Sequence, residues 1–459
     1  MKLNYFLIGL LSIGILSSCS QQSEDLSDTI GGVLPAKTIG LTEPELLSIM
    51  YGSNNELSVE EGEDVLRDFM SEQSKSRASE SIVLKDKEVI NELSSQSRSG
   101  LNKDADHVTF YKYELGTNDS KATAIVCGDK RFPSVIAFID SYNSEIEPSE
   151  IMIGNAKQYA LANISQIKHF EDSLRNTTLS KIYGQKNIPE VFDFSSVEKN
   201  IFLLENQSRG WKEEPGGTLM AKIGPLTSTT WNQTPPYNLY APSTNGTNDY
   251  FWGYDDRYPA GCVVIAMAQI AAYLKAPLPG VNWNICNVPY LYASDTSEQA
   301  KSVANLVKMI ADGSGTTYGA NGGSTSTDKA REYMKKYGVY MDNSTACTYQ
   351  NMKSSLDALR LVYLSGTARR VTSSRGFNAS GSHAWIADGY QVRQRNGNAR
   401  MILKQYNVYC HCNFGWGGDS DGWYLFLSDG SITFSCNGYS WDYDLFDYNL
   451  KAYPNVRLN

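Results

Sequence analysis

The sequence is poor in histidine and has no excess of positive charge. Only four histidines occur among 459 residues, namely His107, His169, His383 and His411. A histidine base therefore has few candidates. The formal net charge of −9 argues against nucleic acid as a partner. Beyond the first residues, no stretch is long and apolar enough to span a bilayer as a helix.

Two segments that resemble ligand sites lack what such sites need. The glycine-rich segment 313–326 lacks the lysine and the strand–loop–helix setting of a phosphate loop, so it is expected to be a surface loop before a helix from about Thr327. Alternation along a strand would put the sulfurs of Cys410 and Cys412 on one face and the His411 ring on the other. One metal ion could not easily collect all three, and we predict no metal and no cofactor.

The N-terminus carries an export signal. An apolar run covers residues 5–16, and small residues then precede Cys19 in L-S-S-C. This layout is that of a secretory signal peptide, residues 1–19, and the end of it looks like a bacterial lipobox. Cys19 would be lipidated and would anchor an outer-membrane or cell-surface protein, possibly released after processing. A plain signal peptide with an incidental cysteine is the alternative. Residues 20–40 are expected to form a polar tether.

Cys262 lies where a Pro/Gly turn becomes a helix. Apolar residues recur with helical spacing after it, at Val263, Met267, Ile270 and Leu274. Unpaired N–H groups at a helix start favour the thiolate, the form that attacks carbonyls. A buried, inert cysteine is the alternative interpretation.

Two histidines follow Cys262 and could serve as its base. His383 stands where a Gly/Ser-rich loop enters a strand-like run, and His411 stands in a strand before a Gly/Trp-rich turn. Residue chemistry alone prefers neither. A cysteine at a helix start with histidine and Asn/Trp elements downstream is the order of papain-like catalysis.

Four segments resemble the streptopain family of bacterial cysteine peptidases, in the same order. They are T-T-W-N-Q-T-P-P-Y-N at 229–238, A-G-C-V at 260–263, L-D-A-L-R-L-V-Y-L-S-G at 356–366 with G-S-H-A-W-I-A-D-G-Y at 381–390, and N-F-G-W-G-G-D-S-D-G-W-Y at 413–424. The resemblance covers roughly residues 222–459. It implies a papain-like α+β peptidase domain, with a helical part and an antiparallel sheet.

The resemblance also implies roles. Cys262 would be the nucleophile and His383 the general base. Gln233 and the backbone N–H of Cys262 would stabilise the oxyanion. Trp416 would line the site beside the histidine.

One position departs from the family pattern. Phe414 replaces the tryptophan that packs against the catalytic histidine, so an aromatic face remains without the indole N–H. Asn413 is a second candidate for orienting His383, by analogy with the asparagine of papain.

The N-terminal half predicts an α+β prodomain at residues 41–205. A capping-box pattern at 58–61 predicts a helix to about Met70, and a long helix is expected over 147–175. Strands are expected over 108–115, 122–129 and 133–140. Residues 206–221, rich in Gly, Pro and charge, are expected to be a linker before the peptidase domain at 222–459.

The two halves differ in charge. Residues 1–221 carry the acidic excess, whereas residues 222–459 are slightly basic. The difference favours docking of the prodomain as an inhibitor in cis. We expect maturation between about 207 and 222, where Arg209, Lys212 and Lys222 offer basic sites.

Cysteine usage completes the prediction. With Cys19 as anchor and Cys262 as nucleophile, six cysteines remain in an oxidising compartment, an even set that permits disulfides without showing any. They are Cys127, Cys286, Cys347, Cys410, Cys412 and Cys436.

The sequence thus predicts a secreted or surface-anchored cysteine endopeptidase made as a zymogen and acting on protein and peptide substrates. Two alternatives stay open. One is a catalytically impaired binding lipoprotein on a peptidase fold, and the other is a papain-like amidase or acyl transferase.

Overall fold

The protein is described here from a computed structural model. It describes residues 38–71, 81–90, 107–117, 120–144, 147–185, 187–204, 218–244, 256–319, 322–370, 382–395, 405–426, 446–448 and 450–459. The predictions on Cys19, on the signal peptide and on the linker residues 206–217 lie outside these residues. Within them, no helix has the length and hydropathy needed to cross a membrane.

Eight helices and eighteen strands occur in the described residues. The helices are α1 Glu43–Met50, α2 Val59–Ser71, α3 Glu147–Tyr183, α4 Cys262–Leu274, α5 Trp283–Cys286, α6 Glu298–Gly313, α7 Thr327–Lys335 and α8 Tyr349–Asp357. The first strands are β1 Ile39–Leu41, β2 Ile82–Ile90, β3 Val108–Thr117, β4 Ser120–Cys127, β5 Ser134–Ile139, β6 Ile201–Leu203, β7 Thr218–Ile223, β8 Thr317–Gly319 and β9 Gly322–Ser324. The others are β10 Val339–Tyr340, β11 Thr345–Ala346, β12 Val362–Arg370, β13 Ser382–Arg395, β14 Gln405–Asn413, β15 Gly422–Phe426, β16 Phe446–Tyr448, β17 Lys451–Tyr453 and β18 Arg457–Leu458.

One twelve-stranded sheet runs through both halves of the chain. Its order is β11-β17-β12-β13-β14-β15-β5-β4-β3-β2, with β16 also on β12 and β7 also on β13. The two halves meet where β15 pairs antiparallel with β5, with Gly422 opposite Ile139 and Tyr424 opposite Ala137. The predicted α+β class, with helices and an antiparallel sheet, is confirmed.

The apolar cores do not divide at the predicted domain boundary. One core joins α2, α3 and strands β3 to β5 to the apolar residues of β13, β14 and β15. Phe69 from α2 contacts the rings of both Phe138 and Tyr409, which belong to opposite halves. The boundaries of the prodomain and the peptidase domain therefore stay a prediction, although residues Ile39–Asn459 form one compact unit.

The second core surrounds α4. Every residue of α4 from Val263 to Ala272 is buried, and α5, α6 and α7 pack around this helix. A helix that is apolar on all sides is stable only inside a protein. Strand β13 connects the two cores because its residues alternate, with Ala384 and Ile386 in the second core and Trp385 in the first.

Several predicted elements are confirmed. Helix α4 begins at Cys262, and α7 begins at Thr327. Ser58 and Glu61 form the expected capping box before α2, because each side chain accepts the backbone N–H of the other residue, at 2.7 and 3.1 Å. The strands expected over 108–115, 122–129 and 133–140 are β3, β4 and β5.

Four expectations differ from the structure. Residues 218–221 belong to strand β7 rather than to a linker, since β13 offers them a paired edge. Residues 39 and 40 belong to β1, which pairs with β6, rather than to a tether. Helix α3 continues to Tyr183 because Leu179 is buried against α1. The glycine-rich segment contains the hairpin of β8 and β9. Helix α1 and strand β2 were not predicted.

Candidate active site

A glycine turn sets the position of Cys262. Gly261 has φ +97°, and a Cβ on it would lie 2.2 Å from the Gly323 carbonyl oxygen. The N–H of Gly323 in turn donates to the Pro259 carbonyl at 2.9 Å. Only glycine fits this close approach. Strand β9 therefore supports the turn that presents Cys262 at the first position of α4.

The Cys262 thiol is partly exposed and faces His383. Burial alone would raise the pKa of this thiol. The charge of His383, a hydrogen bond to its ring, and the backbone N–H groups of Ala384 and Val263 together lower it below its ordinary value. The thiolate form needed for nucleophilic attack is thus favoured.

The second nitrogen of His383 is held by the backbone. Nε2 lies 3.2 Å from the carbonyl oxygen of Phe414. A carbonyl only accepts, so Nε2 carries the proton and donates it, which leaves Nδ1 for the thiol. A hydrogen bond at one ring nitrogen fixes the tautomer of the ring.

Two tryptophans flank the His383 ring. The ring centroid lies 6.1 Å from that of Trp416 at an interplanar angle of 13°, and 6.1 Å from that of Trp385 at 25°. The Phe414 ring instead is buried against Trp385 and Tyr424. Phe414 thus contacts His383 through its backbone carbonyl. The side chains that flank the His383 ring are those of Trp416 and Trp385.

Asn413 stabilises the turn that contains the Phe414 carbonyl. Its Oδ1 accepts from the Gly415 N–H at 3.2 Å, and its Nδ2 donates to the Thr229 carbonyl at 2.7 Å. The bond from the Gly415 N–H fixes the peptide group between Phe414 and Gly415. The carbonyl of this peptide group accepts the hydrogen bond from His383 Nε2. Asn413 therefore lies one peptide away from the histidine that it was predicted to orient.

Gln233 lies next to the turn before Cys262. Its backbone carbonyl accepts from Ala260 N–H at 2.8 Å, and its side chain is 5% exposed. Among the described residues its Nε2 finds no hydrogen-bond partner. A buried donor without a partner is costly, and it is compatible with a donor kept for a charge that develops during the reaction.

His411, the other candidate base, is engaged elsewhere. Its Nδ1 lies 2.6 Å from Oδ1 of Asp388, and its ring packs edge-on against Trp423. Burial would lower the pKa of His411, but the Asp388 carboxylate raises it above the ordinary value. Asp388 also accepts the N–H of Thr227 at 3.0 Å. His411 and Asp388 thus form a buried ion pair. Through Thr227 this pair contacts the segment that leads to Gln233.

The neighbouring cysteines lie as strand alternation requires. The sulfurs of Cys410 and Cys412 are 3.8 Å apart, on the side of β14 opposite the His411 ring. Both are free thiols in the described residues, as are Cys127, Cys286 and Cys347. Cys436 lies outside the described residues.

Four residues near the site were not predicted from the sequence. Trp385 stacks on His383, Asp388 pairs with His411, Asp421 accepts the Phe414 N–H at 2.7 Å, and Gln269 bonds Asn413. Gln269 offered a signal, because it is a polar residue within the otherwise apolar run of α4. Asp421 had none, since it lies in a turn, where aspartate is a common residue.

A thiol with a lowered pKa, an imidazole held at one nitrogen and a nearby buried amide donor are the groups that papain-like cysteine catalysis uses. Residues 231–424 match the model of the Peptidase C10 family. Streptopain from Streptococcus pyogenes is 22% identical over 349 residues, which cover 68% of this chain and 73% of streptopain.

Two solved structures from Prevotella intermedia are also similar. A fragment of prointerpain A is 18% identical with a TM-score of 0.41, covering 76% of this chain and 96% of that one. Active interpain A is 20% identical with a TM-score of 0.36, covering 54% of this chain and 100% of that one. On these sequence matches, residues 231–424 are similar to the Peptidase C10 family and to streptopain, and the chain is a cysteine-type endopeptidase.

The lowered pKa of Cys262 predicts alkylation by iodoacetamide at pH values well below 8.5, roughly the ordinary thiol pKa. His383→Ala should remove this acid-side reactivity, whereas His411→Ala should leave it. The measurement is the rate of labelling against pH on the full chain, with the label located by peptide mass spectrometry. Cys347 is an internal control, because burial raises its thiol pKa. Acid-side reactivity that survives His383→Ala and vanishes in His411→Ala would reverse the two roles.

Asp421 predicts how stability depends on pH. Burial raises the pKa of Asp421 to about 7, although the Phe414 N–H and His411 oppose the shift. The folded state therefore binds this proton more tightly than the unfolded state does. Protonation of Asp421 therefore stabilises the folded state fully below about pH 4, and this stabilisation is lost as the pH rises toward 7. Asp421→Asn should flatten that part of the curve of unfolding free energy against pH, as measured by urea unfolding. An unchanged slope would contradict the assignment.

Proposed function

We propose that the endopeptidase cleaves peptide bonds through a Cys262–His383 dyad and a thioester acyl-enzyme. The observation that carries the proposal is the pairing of the two side chains, with the thiol pKa lowered and Nε2 of His383 held by a carbonyl. A nucleophile, its base and a group that orients the base make up the usual nucleophilic arrangement.

In the first step the Cys262 thiol gives its proton to Nδ1 of His383, the thiolate sulfur bonds to the substrate carbonyl carbon, and the carbonyl π electrons move to oxygen. The Nε2 of Gln233 and the Cys262 N–H stabilise that oxyanion. The C–N bond then breaks, and the leaving amine takes the proton from Nδ1 of His383. In the second step, the oxygen of a water molecule attacks the thioester carbon. His383 accepts a proton from that water. The thiolate leaves and the dyad is restored.

The chain is also proposed to be a zymogen whose prodomain covers residues 41–205. Three kinds of contact support stable docking in cis. Strand β5 extends the sheet at β15, Ser149 and Tyr424 share a buried hydrogen bond of 2.8 Å, and Phe69 packs between the halves. None of these contacts involves a charged side chain, and the proposed charge attraction would act in addition over longer distances.

The structure narrows the proposed maturation segment. Lys222 lies in β7, paired opposite Gln391, so it is a poor site for a peptidase that needs extended, unpaired chain. The proposed segment is therefore about 207–217, which includes Arg209 and Lys212.

The decisive experiment compares full-length wild type with Cys262→Ala. The wild type should process itself and cleave casein, whereas Cys262→Ala should lose at least about a thousandfold in rate because the nucleophile is gone. A trace of processed wild type added to Cys262→Ala should release a product that begins within about 207–217, as N-terminal sequencing would show.

Unfolding in urea is the control for fold, since removing one small side chain at a helix start should change stability little. Casein cleavage by Cys262→Ala at the wild-type rate would refute the nucleophile. Full activity of a wild-type chain that stays uncleaved would refute the zymogen.

Export and anchoring complete the proposal. The apolar run before Cys19 and the L-S-S-C sequence support lipidation of Cys19 in an extracytoplasmic, cell-surface protein. Cys19→Ser should abolish labelling with a fatty-acid analogue in the expressing cell and move the protein from the membrane fraction to the soluble fraction. Wild-type protein without lipid label, found only in the soluble fraction, would leave a plain signal peptide.

A further inference from the structure

The proposed site is assembled from three chain segments that are distant in sequence. Cys262 stands at the start of α4, Gln233 on the segment after β7, and the carbonyl that holds His383 at the end of β14. Two buried amide side chains lie where these segments meet. Gln269 has no exposed surface, and Asn413 is 3% exposed.

The two amides satisfy each other and the segments around them. Gln269 Nε2 donates to Asn413 Oδ1 at 3.0 Å, and Gln269 Oε1 accepts the Trp231 N–H at 3.1 Å. Asn413 Oδ1 also accepts the Gly415 N–H, and Asn413 Nδ2 donates to the Thr229 carbonyl. Buried polar groups persist when they are bonded in this way, and such networks are rigid.

Helical geometry explains why Gln269 can do this. Seven positions separate it from Cys262, which is two turns of helix, so both residues lie on the same side of α4. The helix that presents the nucleophile therefore also carries a group that reaches the other two segments.

We propose that Gln269 is a positioning residue that sets the dyad and the oxyanion donor relative to each other. This inference rests on the proposed function. Through Asn413 and the Gly415 N–H, Gln269 fixes the peptide whose carbonyl orients His383. Through the Trp231 N–H it fixes the segment that carries Gln233 two residues later. Small displacements of reacting groups lower rates strongly, so loss of this link should lower kcat more than it changes KM.

The first test is Gln269→Met, which keeps the length of the side chain and removes its hydrogen bonds to Trp231 and Asn413. In the full-length chain after self-processing, we expect kcat to fall about 10- to 100-fold, with KM within about twofold of wild type. Gln391→Met is the matched control, because Gln391 is equally buried in β13 and bonds Arg393 instead. A kcat loss no larger than that of Gln391→Met would overturn the inference.

The second test separates the two arms and remains useful where Gln269→Met folds poorly. The carboxylate of Gln269→Glu can still accept the Trp231 N–H but cannot donate to Asn413 Oδ1. When protonated it donates again. The ratio of kcat to that of wild type should therefore recover as the pH falls through the carboxyl pKa, which burial raises. A ratio that stays constant over pH 4–8 would overturn the inference.

A third measurement distinguishes this inference from the proposed function. Iodoacetamide labelling of Cys262 in processed Gln269→Met should show weaker acid-side reactivity than in processed wild type, because the His383 ring is less well held. A wild-type chain without acid-side reactivity and without proteolysis would refute the proposed dyad itself. A reactive wild type with identical labelling in Gln269→Met would refute only the role of Gln269.

Discussion

The hydrogen bond from His383 Nε2 to the Phe414 carbonyl is the interaction on which the site depends. It fixes which ring nitrogen carries the proton, and hence which nitrogen is available to the thiol. Because the acceptor is backbone, the contact survives the replacement of the family's tryptophan by Phe414. The orientation of His383 depends instead on the hydrogen bonds that fix the turn after β14.

Several groups hold that turn from inside the peptidase half. Asp421 accepts the Phe414 N–H, and Asn413 accepts the Gly415 N–H, so both peptides around the carbonyl are fixed. Asp421 in turn lies near His411 and Asp388, whose charges influence its protonation. The chemistry of the site therefore rests on a layer of buried polar residues that never touch a substrate.

Sequence reasoning identified the elements more readily than the contacts between them. The apolar period after Cys262 predicts α4 because a core helix leaves a regular pattern, and the Ser58 capping box is local in sequence. The strand status of residues 218–221 depends on an edge of β13 that is remote in sequence. The stacking of Trp416 on His383 joins β13 to the turn after β14, which is remote in sequence. Such facts arise from tertiary packing, and a single sequence carries no local signal of them.

The same turn is held from outside by the N-terminal half. Ser420 N–H donates to the Ser141 carbonyl at 2.5 Å, and Asp140 N–H donates to the Asp421 carbonyl at 3.2 Å. The Ser420 hydroxyl donates to the Asn143 carbonyl at 3.0 Å. These residues follow β5, the strand that extends the catalytic sheet. Removal of the N-terminal half therefore takes away both a neighbouring strand and these hydrogen bonds from the turn that carries Trp416. Docking of the N-terminal half and the geometry around His383 are thus linked through the turn that carries Trp416. A prodomain can therefore influence the dyad without contacting it.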